Sequence, residues 1–128
     1  MPEVNIPEVL EEIKKEFLRY EIALTTNDLV ELDKLFWNSN LTVRYGVSEN
    51  LLGYDAIQKF RLQRPSVGLM RALRNTVITT FGRDMATACT EFSRSTTACI
   101  GRQSQTWVRT GEGWKIVAAH ISLMDPAK

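Results

Sequence analysis

Apolar residues near the N-terminus recur every three or four positions: Ile6, Val9, Leu10, Ile13, Phe17, Tyr20 and Leu24, with Glu and Lys between them. That spacing lays one apolar stripe along a helix, and it predicts a helix over residues 6–26. Asn5 is placed to cap its start, and Pro7 falls in the first turn, where a proline sacrifices no hydrogen bond. Asn27-Asp28 breaks the pattern and offers a new N-cap. A second, shorter helix carries Leu29, Leu32, Leu35 and Phe36 and stops at Asn38-Ser39-Asn40. Residues 41–46 then alternate as a strand does, with Leu41, Val43 and Tyr45 on one face and Thr42 and Arg44 on the other. Gly53 ends a turn, and residues 54–63 read as a third helix stopped by Pro65. After that the period is two. Strands are predicted over residues 73–81, 85–93, 102–109 and 114–123, joined by Gly82-Arg83-Asp84, a loop through Ser95-Thr96-Thr97, and the tight turn Gly111-Glu112-Gly113.

Helices followed by hairpin-connected strands make an α+β architecture with an antiparallel sheet. A strongly twisted sheet packed on a long N-terminal helix encloses a conical hollow, where a small ligand would sit. The 128 residues leave room for one domain over 1–128, with neither a repeat nor a linker.

Composition narrows the function. Sixteen basic and 15 acidic residues nearly cancel, so no field draws the chain to nucleic acid or to an acidic membrane. A near-neutral small domain self-associates readily. The last strand is apolar on both faces (Ile116 and Ala118 against Val117, Ala119 and Ile121), and a homodimer is expected. Met1-Pro2-Glu3 has neither the basic nor the apolar region of a signal peptide, and no run approaches the roughly 18 apolar residues of a membrane span. The expected location is cytoplasmic, with Cys89 and Cys99 reduced although adjacent strands could pair them. With His120 the lone histidine and neither Cys-x-x-Cys nor His-x-x-x-His present, neither a metal nor another cofactor is expected.

The element order and the closing hairpin, Thr106-Trp107-Val108-Arg109-Thr110-Gly111-Glu112-Gly113-Trp114-Lys115-Ile116-Val117-Ala118-Ala119-His120, resemble the SnoaL-like (cystatin-like), nuclear-transport-factor-2-like superfamily, which includes ketosteroid isomerase. Three blocks resemble its AtzH-like branch, which also holds the HpxZ-like proteins associated with oxalurate catabolism. They are Arg44-Tyr45-Gly46, Thr76-Val77-Ile78-Thr79-Thr80-Phe81-Gly82-Arg83-Asp84 and Gly101-Arg102-Gln103-Ser104-Gln105-Thr106-Trp107-Val108-Arg109. The resemblance implies catabolism of small nitrogen compounds such as oxalurate and carboxylated ureas. It implies amide hydrolysis with loss of carbon dioxide, carried by a helix-1 tyrosine and a first-strand arginine, which by motif are Tyr20 and Arg44.

Each residue also has a plainer reading. Tyr20 is either a core tyrosine or a phenol aimed into the pocket to polarise a carbonyl. Arg44 stands where ketosteroid isomerases resembling this layout carry a carboxylate base. An arginine cannot abstract a carbon-bound proton at neutral pH, so isomerase chemistry is disfavoured and an anionic substrate is favoured. Inside a pocket its guanidinium calls for a carboxylate held through two parallel hydrogen bonds. Arg71 and Arg74 form a basic rim for a second carboxylate, or are surface arginines. Gln103 and Gln105 share a strand face between apolar neighbours and either pair with adjacent strands or read a ureido group, with Gln105 favoured for the pocket. Trp107 belongs to the core, and Trp37 to the core or a pocket wall. His120 is expected to face away from the pocket, and Glu91 and Asp84 to be structural. Ser104 and Ser122 lack a visible His-Asp partner. The rival class is a non-catalytic binding or dimerisation module for small carboxylates, as in the association domain of a calmodulin-dependent kinase.

Overall fold

The structure, a computed structural model, describes residues 1–126, so residues 127 and 128 of the expected domain lie outside the described residues. The order is α1 (Pro7–Thr25), α2 (Leu29–Leu35), β1 (Val43–Tyr45), β2 (Asn50–Leu52), α3 (Tyr54–Gln63), β3 (Ala72–Phe81), β4 (Met85–Ser93), β5 (Ile100–Thr110) and β6 (Gly113–Met124). The apolar stripe of α1 buries Val9, Ile13, Phe17, Tyr20, Ala23 and Leu24. Asn27, at φ 53°, ends α1 in the left-handed conformation. Its N–H bonds to Leu24 O and that of Asp28 to Ala23 O at 2.8 Å, closing the last carbonyls of the helix. Asp28 then caps α2 by accepting the Glu31 N–H at 3.2 Å.

Asn5 does not cap α1. Val4 bridges to Phe81, drawing the N-terminal segment along the edge of β3. Asn5 therefore spends its amide on that edge: Oδ1 accepts the Thr80 N–H at 2.9 Å, and its own N–H donates to Thr80 O at 3.1 Å.

The six strands form one curved sheet in the order β2-β1-β6-β5-β4-β3. β3 to β6 pair antiparallel as expected, but β1 runs parallel to β6. The cause lies upstream. On leaving α2, Phe36 already bridges Ile116 in parallel, and the Trp37 N–H donates to Ile116 O at 3.0 Å. The chain continues in that direction along β6. β2, three residues long, is too short to show an alternation, so it stands where the sequence predicts only a turn ending at Gly53. Bulges between Arg74 and Val77 and between Thr106 and Trp107 add local twist.

Side chains of the inner face meet α1, α2 and α3 in one core that holds Ile13, Leu32, Ile57, Trp107 and Ile116. β1 presents its polar side inward: Thr42 just before it is fully buried and Arg44 is 8 % exposed, whereas Leu41 and Tyr45 are exposed. Register aligns an inward row across the sheet, from Arg44 through Ala119 and Gln105 to Ala88. His120 faces outward, its ring edge-on to Tyr45 at 5.7 Å. Among the described residues no helix is long and apolar enough to cross a membrane.

Candidate functional site

A cavity of about 290 Å³ opens between α1, the C-terminal end of α3 and the inner sheet face. α1 contributes Tyr20, β1 contributes Arg44, and β5 contributes Gln103. Arg64, the last residue before Pro65, enters from the end of α3, Arg71 from just before β3, and Arg94 from just after β4. Four guanidiniums therefore line one small space.

Their partners differ. Arg71 is satisfied: its Nε donates to Glu21 Oε2 at 3.2 Å, and its Nη2 donates to Glu21 Oε1 and to Gln103 Oε1, the latter at 3.1 Å. Its guanidinium carbon lies 4.5 Å from the Phe92 ring centroid, and that of Arg94 lies 5.0 Å from it. Phe92 can lie across the sheet because Gly101 faces it, and a Cβ there would overlap the ring. Arg44 donates through Nη1 to Glu49 Oε1 at 3.3 Å and stacks 5.4 Å from the Phe60 ring centroid. Arg44 Nε, Arg64 Nε and Nη2, Arg94 Nε and Gln103 Nε2 are buried without a hydrogen-bond partner among the described residues. Burial pulls the Arg64 and Arg94 guanidiniums below their usual range, and the neighbouring cations, Arg44 for the first and Arg71 for the second, add to it. Dehydrated cations with free N–H groups make a site for an anion.

Of the residues expected at the site, the structure brings Tyr20, Arg44 and Arg71 together on this cavity. It does not bring Gln105. Gln103 takes that place, while Gln105 is 2 % exposed and accepts the Trp107 Nε1–H at 3.1 Å. The two glutamines share a strand face, so alternation alone cannot tell which one opens to the cavity. Trp37 is not a wall of it either. α2 ends at Leu35 and the chain turns extended at Phe36, which points inward, so Trp37 lines a separate hollow of about 610 Å³. Polar groups there are partnered: the Tyr54 hydroxyl donates to Asp33 O at 2.9 Å and Lys115 Nζ to Lys34 O at 2.5 Å. Arg74 is exposed on the outer face and pairs with Glu91 at 3.3 Å, because in β3 it alternates with the inward Leu73.

Sequence reasoning missed Arg61, Arg64 and Arg94, and the two carboxylates, Glu21 and Glu49, that hold arginines. The available signal was the Arg61/Arg64 spacing of one helical turn just before Pro65. Cys89 and Cys99 are both free. Among the described residues no three His, Cys, Asp or Glu side chains cluster as metal ligands.

Glu49 folds back over Gly46, which has no side chain to obstruct it, and occupies Arg44 as an internal carboxylate. An incoming anion must displace it. Glu49→Gln should therefore lower the Kd of a small carboxylate by about two- to fivefold, the worth of a part-exposed ion pair. Calorimetric titration checks this, and a weaker affinity in the variant would contradict it.

Several solved structures share this fold over nearly the whole chain. A protein of unknown function from the DUF3225 family of Pectobacterium atrosepticum is 61% identical, with a TM-score of 0.94 and 95% of each chain covered. A cystatin-like fold protein from Burkholderia xenovorans is 44% identical, with a TM-score of 0.95, over 99% of this chain and 100% of that one. A nuclear transport factor 2-like superfamily protein from Salmonella enterica is 24% identical, with a TM-score of 0.68 and coverage of 94% and 93%, a likeness of fold alone. No curated protein matches the chain. The AtzH-like family model matches residues 2–127, and with both the three sequence blocks and the fold in agreement, the chain belongs to the AtzH-like family.

Proposed function

We propose that the protein takes a small ureido-carboxylate or N-carboxylated urea into the arginine cavity and breaks a C–N bond with loss of carbon dioxide. One observation carries this reading: buried guanidinium N–H groups without partners surround the cavity that Tyr20 lines. Arg44 holds the carboxylate through two parallel bonds and fixes its orientation. Tyr20 donates its proton to nitrogen as the C–N electron pair moves there and carbon dioxide leaves. Tyr20 then recovers a proton from water. This step is that of an N-carboxylated urea, whose carboxylate is on nitrogen, and its net change is R–NH–COO⁻ + H₂O → R–NH₂ + HCO₃⁻. Arg64 and Arg94 keep the cavity positive for the anion throughout. The reaction is set in the cytoplasm, where such catabolic intermediates arise.

A second reading has its own support. Glu21 and Glu49, the carboxylates near the cavity, are both engaged by arginines, which among the described residues leaves no free carboxylate beside it to act as a base. That composition suits a binding module for small carboxylates. A thermal-shift screen over small ureido and dicarboxylic acids, followed by a turnover assay on any hit, separates the readings. Binding with turnover supports the enzyme, binding alone supports the module, and no hit rejects both.

We also propose that a second copy covers the outer sheet face, where Val77 and Met85 are exposed. Sedimentation at micromolar concentration should show a species near twice the 14.6 kDa chain mass, and a monomer alone would reject the dimer.

A further inference from the structure

Arg61, on α3, is 2 % exposed, and its Nε, Nη1 and Nη2 all lack a hydrogen-bond partner among the described residues. Its guanidinium carbon lies 4.3 Å from the Phe36 ring centroid, and that ring lies 6.3 Å from the ring of Tyr20. Charged neighbours do not compensate it. Arg44 and Arg64 repel it, and the Asp33 carboxylate, its weak attractor, already accepts the Gln58 amide at 2.9 Å. Burial pushes its pKa down to about 10, and it stays charged at neutral pH. Stacking on one phenyl ring does not replace the water that a buried guanidinium gives up.

Nearby chemistry on the sheet's inner face has the same character. Gln103 Oε1 is taken by Arg71 and Gln105 Oε1 by Trp107, so both amides leave their Nε2 donors buried and unpartnered. The cross-strand neighbours of Gln105, Ala88 and Ala119, offer its Nε2 no side-chain acceptor. Behind the cavity lining, which includes Tyr20 and Gln103 but neither Arg61 nor Gln105, the interior thus holds buried donors without a partner among the described residues.

We propose that Arg61, which does not line the cavity but lies one ring away from its wall residue Tyr20 across Phe36, is a ligand-binding residue, taking an oxygen group that only accepts hydrogen bonds, a carboxylate or carbonyl oxygen, on the ligand that Arg44 holds. The inference rests on the reading of the cavity as a carboxylate site. It separates from a structural role because charge and packing make opposite demands. Arg61→Met keeps an unbranched apolar chain on Phe36 and removes the unpartnered cation. The experiment titrates oxalate into the full-length parent, Arg61→Met and Arg44→Met, and records each melting temperature without ligand. For Arg61→Met the expected result is a melting temperature equal to or above the parent's, with oxalate affinity reduced by about ten- to a hundredfold, the worth of charged hydrogen bonds. Oxalate binding kept in Arg61→Met but lost in Arg44→Met overturns the role of Arg61 alone. A parent that binds no oxalate, or an Arg44→Met variant that binds it as the parent does, overturns the reading of the cavity as well. A lower melting temperature with unchanged affinity marks Arg61 as a structural pin and overturns the proposal. If Arg61→Met does not fold, the neutral, polar Arg61→Gln carries the same comparison.

Discussion

Tyr20→Phe should slow turnover of a ureido-carboxylate by about 10²- to 10⁴-fold, the usual contribution of a positioned acid, and leave its Kd within about twofold. The asymmetry follows from where Tyr20 sits. Its ring is packed, with the residue 2 % exposed and tilted against Phe36, so phenylalanine keeps the wall of the cavity intact. Only the hydroxyl is lost. Binding depends on the arginines, which the change does not touch. Single-turnover kinetics beside calorimetric titration measures both quantities on one preparation. Equal turnover in the variant would remove Tyr20 from the chemistry and make the binding module the better account.

Glu21→Leu should be the most damaging single change to stability among the site's supports. Arg71 has a side chain only 2 % exposed, and Glu21 is its counter-charge. Removing one partner of a buried pair leaves the other unpaired, at a cost of about 3–5 kcal/mol. For a domain of this size that is a drop of roughly 10 °C or more in melting temperature. The leucine itself fits, since Phe17, Ile22 and Leu73 line the same hollow. The binding effect has the opposite sign: a freed Arg71 adds an unneutralised charge beside Gln103, and the folded fraction should bind small anions more tightly. Urea denaturation with and without oxalate checks both signs. A stability loss under about 1 kcal/mol would mean that solvent already supports Arg71 and that the pair is not a structural one.

Much of the fold was legible because it is written in periods. The α1 stripe, the four long strands and the Asn27-Asp28 break each follow from spacing that one face must bury or one turn must satisfy. The parallel partnership of β1 was not legible. It is decided by Phe36 and Trp37 docking on Ile116, a contact far apart in sequence. β2 was lost for want of length. In the site, Tyr20 and Arg44 could be named from the α1 stripe, the inverted alternation of β1 and the family resemblance. Gln105 was preferred to Gln103 because both occupy one face, and depth within the fold decides which of them reaches open space. Arg64 and Arg94 carried no signal in the pattern because they stand at the ends of elements. There a loop can turn them inward without any mark in the local pattern.

The central claim is that the arginine cavity binds a small carboxylate through Arg44. Calorimetric titration of oxalurate into the parent and into Arg44→Lys tests it most directly, since lysine keeps the charge and loses the two-pronged grip. One oxalurate should bind per chain in the parent, with an affinity lower by about tenfold or more in Arg44→Lys. Absence of binding in the parent, or equal affinity in the two proteins, would contradict it.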